Sequence, residues 1–208
     1  QEKIDQGLTE SYGRLFADYL GIAAGFFTIF IGGFLLTRDR RTGMEELIRT
    51  RKVNPYLYVG AKVAGVFIIL SLFFLLLTII PTYNFYQICQ ENSWDFQLFG
   101  FIKYAAGWIL PSVLLVLSAT VFISELFGNS LIAVGIQLLW LFKSMMPLKG
   151  DYSLTKYIIR FNSSASFDLY QKVSREILMN RLFYLGLSLV LIFVSAQIWG
   201  KKNITDER

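Results

Sequence analysis

The sequence predicts an all-α integral membrane protein, and three observations carry that prediction. Of the 208 residues, 54% are hydrophobic and 16% aromatic. The apolar residues come in long blocks almost free of charge, not interleaved with polar residues at the period of 2 or 3.6 that a soluble domain shows. These blocks approach or exceed the roughly 20 residues a helix needs to cross a hydrocarbon core about 30 Å thick.

Five spans are expected, within a single transmembrane domain covering residues 1–208. The first, residues 16–36, contains GIAAGFFTIFIGGFLL. Its Gly21 and Gly25 form a small-xxx-small face that permits close helix approach in lipid, as do Gly60 and Ala64 in the second span, residues 57–80. Either pair suits a dimer seam or packing within the subunit. The second span is expected to end at Pro81. The third, residues 99–123, carries Pro111 in its middle, where the missing N–H should kink the helix and offers a hinge. The fourth, residues 131–146, is short and holds Gln137 and Lys143, so a re-entrant hairpin is an alternative to a full crossing. The fifth covers residues 182–199. The chain begins at Gln1 and not at Met, and a sixth span before it would bring both termini to the cytoplasm.

Orientation follows from lysine and arginine in the short loops. Seven basic residues (Arg38, Arg40, Arg41, Arg49, Arg51, Lys52, Lys62) fall in the stretch from Arg38 to Lys62, whereas residues 83–97 hold none and carry Glu91 and Asp95. The first segment is therefore expected in the cytoplasm and the second outside. Residues 143–181 also hold seven basic side chains, so the basic total alone does not separate the two sides.

The charged segment RDRRTGMEELIRTRKVNP, residues 38–55, is expected to contain a helix over about 42–52. Thr42-Gly43-Met44-Glu45 fits the capping box, in which a hydroxyl and a carboxylate each satisfy an orphan N–H. Glu45 and Glu46 fall in the first turn and Arg49, Arg51 and Lys52 in the last, matching the helix dipole. Pro55 stops the helix by biasing Asn54 away from helical geometry. Met44, Leu47 and Ile48 align on one face. That face suits the acyl boundary of a membrane or a groove on a soluble partner, and spacing alone leaves the two nearly level.

Several chemistries are excluded. With no histidine in the chain, histidine zinc sites, the HExxH helix and histidine-dependent triads cannot form. The single cysteine, Cys89, makes neither an internal disulfide nor a cysteine cluster for metal. The net charge of +5 is spread over several loops, without any nucleic-acid-binding pattern. No GxxxxGK[ST] phosphate loop occurs. The polar residues near the spans are Asp18, Lys103, Glu125 and Gln137. The first three lie within a turn or two of expected span ends, within reach of water, and Gln137 alone reads as deep. An ion-coupled transporter or channel would need facing ionisable groups at mid-depth or an inverted repeat, and neither is found. A membrane enzyme lacks a defensible catalytic set, and a non-transporting assembly partner stays open. Residues 147–178 read as amphipathic, with Leu154, Tyr157, Ile158 and Phe161 at helical spacing, and Phe167, Tyr170, Val173 and Ile177 more loosely so.

The run RDRRTGMEELIRTRKVNPYLYVGAKVAG, leading directly into a span, resembles the permease subunits of type-2 ABC exporters. Gly43, Glu46 and Leu47 fill the first part of that family's cytoplasmic pattern, and Tyr58, Gly60 and Lys62 fill the second. FNSSASFDLYQKVSREILMNRLFYLGLSLVLI, residues 161–192, is similar to the stretch before the family's last span. The resemblance implies six spans, pairing with a second permease subunit as a homo- or heterodimer, and short re-entrant helices on the outside before the last span. It also implies two cytoplasmic ABC ATPase subunits, bound through the coupling helix at Met44, Glu45, Glu46, Leu47, Ile48 and Arg49. This chain would itself carry no cofactor and no catalytic residue, with ATP and Mg on the partner ATPase. Its implied place is the bacterial cytoplasmic membrane.

Overall fold

A computed structural model describes residues 8–51, 53–145 and 167–205. The described chain is helical in the order α1 (Leu8–Phe34), α2 (Thr37–Arg41), α3 (Met44–Thr50), α4 (Pro55–Leu76), α5 (Ile79–Asn92), α6 (Gly100–Tyr104), a π-helical turn (Ala105–Ile109), α7 (Leu110–Phe127), α8 (Ser130–Met145) and α9 (Phe167–Thr205). Among the described residues, four stretches are long and apolar enough to cross a membrane: Leu8–Arg41, Pro55–Asn92, Gly100–Phe127 and Lys172–Lys202. The apolar helix α8 has 16 residues, about 24 Å at 1.5 Å per residue, which falls short of a core about 30 Å thick.

α7 is the hub of the bundle. It packs against α1, α4, α8 and α9, and Leu115, Val116 and Leu117 are buried in succession. Burial of consecutive residues means neighbours on every side, as expected of a helix apolar all round. At the basic end of the bundle, Leu117 and Val121 meet Leu36, Val59, Val63, Ala196 and Trp199. Nearer the other end, Val113 belongs to a core with Ala17, Leu20, Phe74, Trp108 and Ile177. α8 buries Ala133, Val134, Gln137, Leu141 and Ser144. The three- and four-residue steps put these on one stripe.

Three expectations change. The helix after the second span does not stop at Pro81. After a break at Leu77–Thr78, α5 starts at Ile79 and runs through Pro81 to Asn92. Proline is tolerated there because the first N–H groups of a helix have no intrahelical acceptor in any case. The irregularity in the third span lies just ahead of Pro111, as the π-helical turn Ala105–Ile109, while Pro111 itself sits in the first turn of α7. Proline leaves one carbonyl of the preceding turn without its N–H, and a widened turn is a common response; the Ser112 hydroxyl donates to the Trp108 carbonyl at 3.0 Å. The amphipathic segment 147–178 divides. Residues 147–166, with Leu154, Tyr157, Ile158 and Phe161, lie outside the described residues, and from Phe167 onward the chain is one helix with the last span.

The small-residue faces also sort differently from internal packing. A Cβ built on Gly21, Gly60 or Gly65 meets nothing within 4 Å, and Ala64 is exposed; Gly25 is buried. Tight approaches occur elsewhere: a Cβ built on Gly13 would stand 2.8 Å from the Gly100 carbonyl oxygen, and one on Gly33 2.8 Å from Val134 Cγ2.

Candidate functional site

The site is built where the charged segment meets the basic end of the bundle. α1 ends at Phe34, and Thr37 opens the short α2 with its hydroxyl bonded back to the Gly33 carbonyl at 3.2 Å and to Ser130. Gly43 then adopts φ +70°, the left-handed conformation that glycine takes at helix ends without steric cost. The expected capping box does not form. The Thr42 hydroxyl donates backwards, to the carbonyls of Arg38 at 3.1 Å and Asp39 at 3.3 Å, so it closes α2. Glu45 accepts instead from Arg40 Nε at 2.9 Å. The left-handed turn at Gly43 re-aims the chain, and the carboxylate meets a cation in place of a backbone N–H.

The expected apolar face of α3 splits. Met44 and Leu47 are 48% and 61% exposed, and Glu46 is exposed beside them. Ile48 is half-buried against the core that contains Leu36, Val59 and Trp199. Glu45 is buried, and Arg49 stands in the last turn. α3 therefore has an anchored side (Glu45, Ile48) and an open side (Met44, Glu46, Leu47).

The anchor is a charge network that draws on five helices. Arg40 on α2 donates from Nε to Glu45 on α3 and from its terminal nitrogen to Glu125 on α7. Glu125 has no exposed surface. Lys202 on α9 bonds the Glu125 backbone carbonyl and stands 4.0 Å from its carboxylate. Alongside, Asp39 accepts from both Lys62 and Tyr58 on α4. The Tyr58 ring lies 4.6 Å from that of Trp199, centroid to centroid. A fully buried carboxylate on an apolar, span-length helix is costly unless paired, which makes this cluster a candidate functional feature.

The model of the ABC-2 family transporter protein matches residues 3–198, almost the whole chain. The chain belongs to the ABC-2 transporter family. No curated protein and no solved structure matches it. As a permease subunit, it is a multi-pass membrane protein whose role is transport.

Sequence reading missed the central members of this permease's network. Asp39 and Arg40 read only as loop charge, and Glu125 as a span-end residue within reach of water. One signal was available. Glu125 precedes the Gly128 C-cap of α7 by three residues, at the helix end where the dipole favours cations and not a carboxylate. A residue placed against that preference has a partner elsewhere.

At the opposite end, Arg14 of the permease is buried. It donates to the Tyr104 hydroxyl at 3.1 Å and to Ser11 at 2.9 Å, and lies 4.7 Å from the Tyr170 ring centroid. Tyr104 donates to Glu10 at 3.0 Å, and Lys103 pairs with Glu10 at 2.8 Å. Lys103 does reach solvent, whereas Asp18 is buried. Gln137 is buried as the sequence suggests. Arg181, immediately before the expected last span, is buried and donates to Ser112. Among the described residues, no group of three or more acidic or cysteine side chains is placed to hold a metal ion.

Proposed function

We propose that this permease exports its substrate on the energy of ATP hydrolysed by separate cytoplasmic ABC ATPase subunits, and that α3 is the helix on which an ATPase docks. The observation that carries the reading is the division of α3 into two sides. Met44 and Leu47 stand exposed one turn apart with Glu46 next to them, while Glu45 and Ile48 tie the same helix to the bundle. An apolar pair flanked by charge fits the helix-in-groove mode of recognition, and a helix fastened on its other side can pass on a force.

In this reading the basic segment faces the cytoplasm of a bacterial cell, and ATP and Mg are bound by the ATPase and not by this chain. A second permease subunit completes the transporter, with the open small-residue face of Gly60 and Ala64 on α4 as its candidate seam, the open Gly21 on α1 (its partner Gly25 being buried within the subunit) as a second, and Pro111 as a candidate hinge. The deciding experiment is co-purification in mild detergent. The parent chain is expected to bring down a nucleotide-binding subunit, and the variant carrying both Glu46→Ala and Leu47→Ser is expected to lose it. Retention of that subunit with an unaltered coupled ATPase rate would remove α3 from the docking role.

A further inference from the structure

We propose that Arg40 and Glu125 are positioning residues: Arg40 carries the displacement of α3 into the hub helix α7, and Lys202 takes over Glu125 as Arg40 leaves. The proposal rests on the reading of α3 as the ATPase-docking helix and adds the route by which the spans would sense it.

The backbone on either side of α3 is poorly suited to transmit force. On one side the chain passes through Gly43 at φ +70°. On the other, the helix ends at Thr50 and Asn54 is extended, with ψ 121°. Both joints are non-helical, so a push on α3 is not relayed along a rigid rod. The side-chain link is more direct. Arg40 stands between Glu45 on α3 and Glu125 on α7 and holds one carboxylate with Nε and the other with a terminal nitrogen. A guanidinium presents several donors in a fixed planar fork and can hold two carboxylates in one geometry, which a lysine ammonium on a flexible stem does not reproduce. Glu125 is fully buried in the helix that packs on α1, α4, α8 and α9. A buried carboxylate stripped of its cation is strongly unfavourable, so Glu125 follows Arg40 or finds another cation.

That second cation is already in place. Lys202, at the end of α9, is held on the Glu125 backbone carbonyl with its amine 4.0 Å from the carboxylate. Outward movement of α3 would draw Arg40 away through Glu45 and let Lys202 close on Glu125. That exchange shifts α9 against α7, the pair of long helices in most extensive contact. The facing groups are Glu45 on α3, Lys202 on α9 and, one residue from Arg40, Asp39 with its partners Lys62 and Tyr58 on α4.

The test uses the assembled complex of permease and ATPase in lipid nanodiscs, with Cys89→Ser removing the single cysteine. Spin labels go on Leu126 of α7 and Leu189 of α9, both exposed. Their separation is read by pulsed EPR without nucleotide and with ATP plus vanadate. The parent complex is expected to show a nucleotide-dependent shift. Arg40→Lys keeps a cation for Glu125 but loses the second arm, so it is expected to abolish the shift with the ATPase still bound. Glu45→Gln and Glu125→Gln are expected to do the same, and the double variant no more than either alone, because the three groups act as one unit. A full shift in Arg40→Lys, or losses that add across Glu45→Gln and Glu125→Gln, would overturn the relay while leaving the docking of α3 intact. A parent chain that brings down no ATPase refutes the docking reading, and the relay falls with it.

Discussion

Arg14 and Lys103 are both cations near Glu10, yet their surroundings assign them very different weights. The Arg14 side chain is 3% exposed and spends its donors on Tyr104 and Ser11 under the Tyr170 ring. Removing it takes a donor from the Tyr104 and Ser11 hydroxyls and opens a cavity, so Arg14→Ala is expected to cost about 2–4 kcal/mol of stability. The Lys103 side chain is 58% exposed; a solvent-screened pair contributes about 0–1 kcal/mol, and Lys103→Ala should be nearly silent. Thermal unfolding in a single detergent, run on both variants, checks the contrast; equal losses would mean that burial does not set the difference. Neither role was legible in the sequence. The hydropathy boundary at residue 16 left Arg14 outside the first span, whereas α1 begins at Leu8 and carries it into the bundle. The same limit applies to Glu125 and Arg40, which are separated by 85 positions. Local pattern can mark an acid at the wrong end of a helix, but it does not name a partner that only packing brings close.

At the scale of elements, the glycines separate into those that are required and those that are free. The Gly43 turn sets the angle between α2 and α3 with φ +70°. A Cβ in that region costs roughly 1–2 kcal/mol, and asparagine adopts it more readily than other residues. Gly43→Asn is therefore expected to keep the Arg40–Glu45 contact, while Gly43→Val loosens α3. Hydrogen exchange of the α3 amides measures this, and equal protection in the two variants would show that the turn does not hold the helix. Gly13 and Gly21 form a second pair. At Gly13 a Cβ would stand 2.8 Å from the Gly100 carbonyl, while at Gly21 it meets nothing. Gly13→Ala should destabilise the subunit, and Gly21→Ala should stabilise α1 by up to about 1 kcal/mol through helix propensity. If the dimer seam runs over Gly21, that variant shifts the protein towards monomer on size exclusion while its subunit stability still rises. The spans themselves were legible because their signal is local: a continuous apolar run reads as a helix whatever it packs against. The breaks inside them were less so. Pro111 marked the irregular region of the third span, but the widened turn lies on its N-terminal side, and Pro81 sat harmlessly in the first turn of α5.

For the whole molecule, the buried arginines change the orientation argument. Counted by sequence, Arg14 and Arg181 belong with the basic residues of the outer side and help to balance the two faces. In the fold both are buried against protein groups, so neither is a loop cation of the kind that sets topology. Without them the exposed loop cations Arg38 and Arg41 weigh more, which supports the proposed placement of their end in the cytoplasm. The helical pair α4–α5 adds a geometric check. α4 alone, with 22 residues, is about 33 Å long and suffices for a hydrocarbon core about 30 Å thick. α5 follows the break at Leu77–Thr78 and so starts at the far side from the basic end, where Glu91 is exposed. In a Cys89→Ser background, Glu91→Cys is therefore expected to react with a membrane-impermeant maleimide on intact cells. Thr50→Cys, exposed on α3, should react only after the membrane is opened. The reverse pattern would turn the molecule over in the membrane, place α3 out of reach of any cytoplasmic ATPase, and remove the physical basis for coupling through Arg40 and Glu125.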